Sequence, residues 1–402
     1  MMSSPGKGYD GRFVPDINGS RVAEILQQLV RIPSVNPAFP GGTGEAELGR
    51  YVEGFLGRLN LLAERQVVAE GRFNVLGTLP GHSRRKLLLE AHMDTVQTIG
   101  MTIPPFDGRI EGGKLYGRGA CDTKASLAAM LAAIEALALA DIRPEVTTEL
   151  AAVVDEETTY TGVSALAERI KPNAADYVGA VVGEPTGLAV IAAHKGCCRF
   201  YVDVYGVACH SSNPAQGVNA INQMNKVLTF LSELHEQRYP QRAHPLTGPP
   251  TVCVTGIQGG IAPNTVPADC RITVDRRTVP GEEPLVVYEE MKRQLEELAS
   301  SEGLTLTVSE PFVTDYAMET DRNEPIVRYL LAATGTYEPQ ASVQGAAYCS
   351  DASKLVRVAV PSVVFGPGHI SEAHTQDEWI ELSQVEQAAC ALRDLILSVK
   401  AI

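Results

Sequence analysis

Four apolar runs in this chain stop at an acid or a histidine: LLLEAHMD (87–94), LAAVVDEE (150–157), AVVGEP (180–185) and SVVFGPGHISEAH (362–374). Apolar runs this short, bounded by turn residues, predict buried strands. Between them the period changes. Val22, Ile25, Leu26 and Leu29 share one face of a first helix introduced by Ser20, residues 46–59 predict a second, and the alanine- and leucine-rich stretch 124–139 a third. With strands expected at 74–79, 86–91, 146–154 and 178–182, the alternation predicts an α/β domain with a mostly parallel central sheet. Ligands of such sheets collect at the carboxyl ends of the strands, where this chain concentrates its acids and histidines.

The pattern changes after about residue 192. CRFYVDVYG alternates as a strand, 217–235 predicts a helix, TVCVTGI and CRITVDRRTV two strands, 285–300 a helix and LTLTVSE a last strand. The order β-α-β-β-α-β is that of a ferredoxin-like unit. The earlier style resumes near 312, with a strand at 362–365 and a closing helix at 383–399. A chain of 402 residues is long enough for two or three cores. The expected division is a first domain of 1–192, an inserted domain of 193–311 and completion of the first domain by 312–402.

The net charge of −14 and pI near 5.1 argue against nucleic acid or an anionic membrane as a general partner. No apolar run is long enough to span a bilayer, and MMSSPGKGYDGRF at the N-terminus lacks the apolar centre of a secretory leader. Eight cysteines without a CxxC pair read as reduced thiols. A cytoplasmic protein is expected.

Five segments bring metal-ligand chemistry to one rim. They carry His92 with Asp94, Asp122 in the glycine-rich turn GRGACDTK, the acids Asp155, Glu156 and Glu157, Glu184 in VVGEP, and His369 with His374. A lone strand-end histidine is ordinarily a satisfied polar residue, and an acid pair is ordinarily a solvated face. Their convergence is what carries the reading. Mixed imidazole and carboxylate ligation suits zinc, and also cobalt or manganese. A histidine two residues before an aspartate suits an imidazole oriented by a carboxylate.

AHMDTV, GRGACDTK, VDEET, VVGEPT and AHTQDEW, in this order and spacing, resemble the acetylornithine deacetylase / succinyl-diaminopimelate desuccinylase / aminoacylase / carboxypeptidase G family of co-catalytic zinc amidohydrolases. The likeness runs from IPSVNP (32–37) to the C-terminal helix. AHKG (193–196), CHSSNPAQGVNAI (209–221), the D-x-R-x-x-PG of 275–281 and GPGHISEAH (366–374) look most like the acetylornithine deacetylase branch. The resemblance implies a zinc-exopeptidase-like catalytic domain with an inserted ferredoxin-like dimerisation domain. It implies two divalent ions, bridged by Asp122, one completed by His92 and Glu184 and the other by Glu157 and His374. Asp94 would orient His92, and Glu156 would be the general base. A cis peptide is implied at Asp122–Thr123. The glycine usual two residues after the acid pair is replaced by Thr159, with Gly162 coming later. Asp155 is left with no role beyond setting the turn.

The chemistry is consistent with these roles, because amide hydrolysis needs an activated water, a polarised carbonyl and a proton for the leaving amine. In relatives the equivalent of His210 reaches the neighbouring subunit's site and stabilises the oxyanion, which implies a homodimer. Asn264 in GGIAPNTVP and Arg277 match substrate-binding positions, with Arg276 and Arg271 as competitors for the carboxylate-binding role. His194, Lys195, Ser350 and Asp351 also lie in family-like motifs, and Tyr348, Cys349 and Ser350 depart from the family's glycines. His82, His235 and His244 have no motif around them. Trp379 is expected to pack beneath the His374 loop. The implied substrate is a small N-acyl amino acid or dipeptide, N-acetylornithine first. A desuccinylase, an aminoacylase, a carboxypeptidase-like dipeptidase and a non-catalytic metal-binding relative are the alternatives.

Overall fold

The computed structural model describes residues 14–401. The segment 1–13, where no secretory leader is expected, and residue 402 lie outside the described residues. The chain forms two compact units. One comprises the chain to Ala192, Thr320–Gln344 and Ser350 onward, and the other comprises Ala193–Glu319 and Gly345–Cys349.

The first unit is built on a sheet with the strand order Leu62–Ala69, Arg72–Leu79, Val146–Val153, Ser83–His92, Tyr177–Val182, Ser362–Val364, Val190–His194. The four central strands, Val146–Val153 to Ser362–Val364, are parallel, and the outer pairings are antiparallel. Strands buried on both faces read as continuous apolar runs, so the central ones were visible in the sequence. Leu62–Ala69 was not. It is an edge strand with no buried residue, and its Glu64 and Arg65 suit an exposed sheet edge. The helices Thr161–Ile170 and Pro325–Thr334 were also not anticipated.

Helix Gly19–Arg31 starts earlier than expected. Asn18 caps it, accepting hydrogen bonds from the Ser20 and Arg21 N–H groups at 3.0 and 3.2 Å, so Ser20 lies inside the first turn. Helix Lys124–Leu139 is apolar almost all round and packs against Gly19–Arg31, Leu382–Ser398 and the central strand Ser83–His92. Its first turn meets the sheet at Gly183, where an added Cβ would lie 2.6 Å from Ser126 Cβ. Thr123 Oγ1 donates to the Gly183 carbonyl there at 2.8 Å, which docks the residue after Asp122 onto the rim.

In the second unit the strands Gly196–Tyr205, Thr251–Gly259, Asp269–Thr278 and Thr305–Val308 alternate with helices Ala220–Glu233 and Pro284–Glu302 in the order βαββαβ. Asp269–Thr278 and Gly196–Tyr205 lie at the centre of the sheet, with Thr251–Gly259 and Thr305–Val308 outside them. One core of Phe200, Val202, Met224, Leu231, Ile272 and Tyr288, among others, lies between sheet and helices. Val313–Asp315 adds antiparallel to Gly196–Tyr205, and that pairing carries this unit past residue 311.

The acidic turn after Val146–Val153 is closed by hydrogen bonds rather than by a helix. Asp155 adopts a left-handed backbone (φ 73°). Its carboxylate accepts from Thr158 Oγ1 at 2.7 Å, Thr161 Oγ1 at 2.6 Å, Thr159 Oγ1 and Asn36 Nδ2 at 2.9 Å. Arg72 lies 3.0 Å away and also binds Glu45. Burial works to raise the Asp155 pKa, but the hydrogen bonds from Thr159, Thr161, Asn36 and Thr158 outweigh it and hold the carboxylate well below its usual range. Asp155 thus sets the turn, as expected, and Thr159 contributes a hydroxyl to it.

Gly162 closes the turn. Its N–H donates to the Val154 carbonyl at 3.1 Å, and Asn74 bridges Val154 N and the Gly162 carbonyl at 3.1 and 2.8 Å. A Cβ on Gly162 would lie 2.1 Å from the Val154 oxygen. Gly162→Ala is therefore expected to cost about 3 kcal/mol, read as a lowered urea midpoint. Asp155→Asn is expected to cost roughly 2–4 kcal/mol near neutral pH, by removing a buried charge from its partners. Because the folded Asp155 pKa is depressed, its contribution is complete above the unfolded value of about 3.9. It is lost as pH falls through the folded value. The stability gap between wild type and Asp155→Asn should shrink in acid and stay constant above pH ~5, measured by denaturant titrations across that range.

Candidate metal centre

Sheet register sets the centre. His92 pairs with Val153, and Glu90 pairs with Val182, which puts Glu184, two residues past the end of the neighbouring strand, level with His92. The acids after Val153 and Val182 therefore flank His92 at one rim. Asp122 enters from the turn before helix Lys124–Leu139 through a cis peptide to Thr123, as expected. His374 arrives from the loop after Ser362–Val364.

Two groups of three form around Asp122. His92, Asp122 and Glu184 make one, and Asp122, Glu157 and His374 the other. His92 Nε2 lies 3.0 Å from Asp122 Oδ1 and 3.7 Å from Glu184 Oε1. His374 Nε2 lies 3.2 Å from both Asp122 Oδ2 and Glu157 Oε1. Within each group the donor atoms lie within 4.8 Å of one another. One ion could reach all three at the usual bond lengths of about 2.0–2.2 Å. The groups are unequal in exposure. His92, Asp122 and Glu184 are buried, whereas the His374 side chain is 49% exposed and its backbone left-handed.

Asp94 is fully buried and joins the two groups from behind. It accepts the N–H of Glu156 at 3.0 Å, the N–H of Glu157 at 3.1 Å and Asn36 Nδ2 at 2.7 Å. Its Oδ1 lies 3.6 Å from His92 Nδ1, but its own carbonyl is nearer, at 2.9 Å. The carbonyl accepts the Nδ1 proton, which leaves Nε2 unprotonated toward Asp122 in the neutral ring.

The electrostatics fit cations. Burial and the Asp122 charge push the Glu157 carboxyl up to about 7, and the Glu184 carboxyl well up. Burial likewise drives Glu156 well up, with Asp351, Glu157 and Asp122 adding to it. Burial opposes protonation of both imidazoles, yet Asp122 with Asp94 raises His92, and Asp122 with Glu157 raises His374 to about 11. The carboxylates here outnumber the imidazoles, and two divalent ions between them would supply the missing positive charge. The donor set of imidazole nitrogen and carboxylate oxygen suits that task.

Glu156 is next to this cluster but belongs to neither group. His369 is exposed and also outside both, its N–H bound to Glu372 at 2.8 Å. Trp379 begins the strand Trp379–Glu381, beside Lys114–Tyr116, and Lys114 Nζ lies 3.4 Å from its ring centroid. The sequence does not single out Asn36, which sits in the helix-breaking IPSVNP, or Glu378, which sits in AHTQDEW. Nothing local marks either residue, since the acids that Asn36 binds and the turn that Glu378 binds are 58 to 260 positions away.

The remaining candidates lie in the second unit. His210 and Asn264 come together there: His210 forms a bridge with Thr265, and Ser211 N donates to the Asn264 carbonyl at 2.9 Å. Both side chains are accessible to solvent. Arg277 binds Asp275 at 3.0 and 3.2 Å, and the same carboxylate takes Arg199 at 2.9 Å. Arg276 is 1% exposed and committed to Glu282 and Tyr239, and Arg271 is bidentate to Asp203. Lys195 Nζ is held by the Pro249 carbonyl at 2.6 Å, and His244 meets Glu319 at 3.1 Å. No helix among the described residues is long and apolar enough to cross a membrane.

Residues 88–398 match the peptidase family M20/M25/M40. The acetylornithine deacetylase of Yersinia pseudotuberculosis is 31% identical over 380 residues, covering 90% of this chain and 93% of that protein. That of Salmonella arizonae is 31% identical over 389 residues, covering 94% and 96%. Among solved structures, aminopeptidase PepT from Bacillus cereus has a TM-score of 0.78 at 22% identity, covering 95% of this chain and 98% of that one. The YXEP protein of Bacillus subtilis, a dinuclear metal binding peptidase, has a TM-score of 0.68 at 15% identity, covering 94% and 97%. These two likenesses establish the fold. Family match, curated relatives and paired ligand groups lead to one conclusion: the chain belongs to peptidase family M20/M25/M40, a metal-dependent amidohydrolase.

Proposed function

We propose that this protein hydrolyses the amide bond of an N-acyl amino acid, with N-acetylornithine the first substrate to test. The observation that carries the reading is the standing of Glu156. It is a half-buried acid held by its backbone to Asp94 beside Glu157, and it belongs to neither ligand group. A site that only bound metal would not need it. Whole-length likeness to proteins named acetylornithine deacetylase supports the choice of substrate.

His92 and Glu184 would hold one ion, Glu157 and His374 the other, and Asp122 both. Two divalent ions, zinc first and cobalt or manganese next, would supply Lewis acidity that acidifies water and polarises the amide carbonyl. Asp94 holds the His92 ring and both glutamate backbones in register. Glu156 accepts the proton of the attacking water and delivers it to the leaving amine nitrogen. Arg277 is the proposed carboxylate anchor. Two guanidiniums, Arg199 and Arg277, share the single Asp275 carboxylate, and this leaves positive charge for a substrate carboxylate.

His210 is the proposed oxyanion donor, acting across a homodimer. Its Nδ1 accepts the Ser212 N–H at 3.2 Å, so the neutral ring carries its proton on Nε2 and can donate from there. The second unit also has surface suited to self-association. Thr251–Gly259 is an edge strand, with Ile257 55% and Ile261 89% exposed in and after it.

Glu156→Gln is expected to keep two metal ions per chain while lowering kcat at least ~100-fold. The measurements are metal analysis and hydrolysis of N-acetyl, N-succinyl and N-formyl amino acids and dipeptides. Inactivity of the two-metal wild type across the whole panel would overturn the reading. Coexpressed His210→Ala and Glu156→Gln chains, each inactive alone, are expected to regain activity in mixed dimers. Absence of recovery in a verified mixed dimer would show that His210 does not serve the partner's site.

A further inference from the structure

Glu378 has no part among the ligands or the proposed proton carriers, yet it is fully buried four residues after His374. Its Oε1 accepts the backbone N–H groups of Cys121 and Asp122 at 2.8 and 2.9 Å. Its Oε2 accepts Gly119 N at 3.1 Å and Arg118 Nη1 at 2.7 Å. The Glu378 carbonyl meanwhile accepts Gly117 N at 3.0 Å. Arg118, 3% exposed, extends the hub: its Nη2 donates to the Thr375 carbonyl at 3.1 Å and its Nε to the Gln97 carbonyl at 3.1 Å.

One carboxylate and one guanidinium therefore join the turn that carries Asp122 to the loop that carries His374. That loop needs the tie. His374 is the half-exposed member of its group, stands in a left-handed backbone and comes ten residues after its strand ends. His92 is a strand's last residue and Glu184 follows its strand by two. We propose that Glu378 and Arg118 are positioning residues that set the placement of His374 relative to Asp122, and thereby the affinity of the Asp122–Glu157–His374 site for its cation. This rests on the ligand assignment above. Outer-shell partners of metal ligands typically contribute 10–100-fold in metal affinity.

Glu378→Gln is a suitable probe. An amide oxygen can still accept the Cys121 and Asp122 N–H groups, while the amide nitrogen would face the donors Arg118 and Gly119. Arg118→Gln is the second variant. It leaves Glu378 its three backbone donors at Oε1 and Oε2 and cuts the link to Thr375. Both are compared with unmodified protein by zinc equilibrium dialysis against a graded chelator, with circular dichroism as the check on folding. Glu157→Gln identifies which of the two binding steps belongs to this site.

The expected result is that one step weakens about 10–100-fold and coincides with the step that Glu157→Gln removes, while the other step moves little. KM should stay near wild type, with kcat low at limiting zinc and restored by excess. Equal weakening of both steps, or unchanged binding in a folded variant, overturns the proposal. Unmodified protein that binds fewer than two ions overturns the ligand assignment and this proposal with it.

Discussion

Negative charge buried at the rim of a parallel sheet is the constraint on which the rest of this structure depends. Asp94, Asp122, Asp155, Glu184 and Glu378 are each at most 5% exposed, and a carboxylate at such depth keeps its charge only with hydrogen bonds or a cation. The chain treats these acids in two ways. Asp94, Asp155 and Glu378 are supplied with backbone N–H groups, hydroxyls, an asparagine and arginines. Glu184 and Glu157 meet only an imidazole edge among the described contacts, and burial raises both their carboxyls. The saturated acids are structural anchors, and the unsaturated ones are open to an ion.

This distinction explains the acidic turn DEET. In an extended strand, Glu156 and Glu157 would point to opposite faces. The left-handed Asp155 breaks the alternation, and Asp94 then gathers both following N–H groups on one carboxylate. Three adjacent acids come to differ because their surroundings differ. Asp155 is wrapped by threonines, Glu157 faces His374, and Glu156 is left between.

The second unit applies similar physics to arginine. Arg276 and Arg277 are adjacent on one strand and point to opposite faces. One is buried against Tyr239 and Glu282 as part of the core, and the other shares Asp275 with Arg199 at the surface. Alternation puts Arg276 on the core face with Cys270, Ile272 and Val274, and Tyr239 and Glu282 supply the partners that a buried guanidinium needs there.

The sequence by itself determined the parallel core, the βαββαβ order of the second unit and the segments that deliver His92, Asp122, Glu157, Glu184 and His374. Those features are local: apolar runs, their period, and a polar residue where each run stops. Tertiary structure alone decided what lay between the segments. Asn36 linking Asp94 to Asp155, Arg72 meeting Asp155, and Glu378 collecting the N–H groups around Asp122 all join residues distant in sequence. The exposed edge strand Leu62–Ala69 escaped notice for a related reason, since it buries no side chain and leaves no periodic trace. A buried polar residue is recognised by its partners, and a linear chain does not display those until it folds.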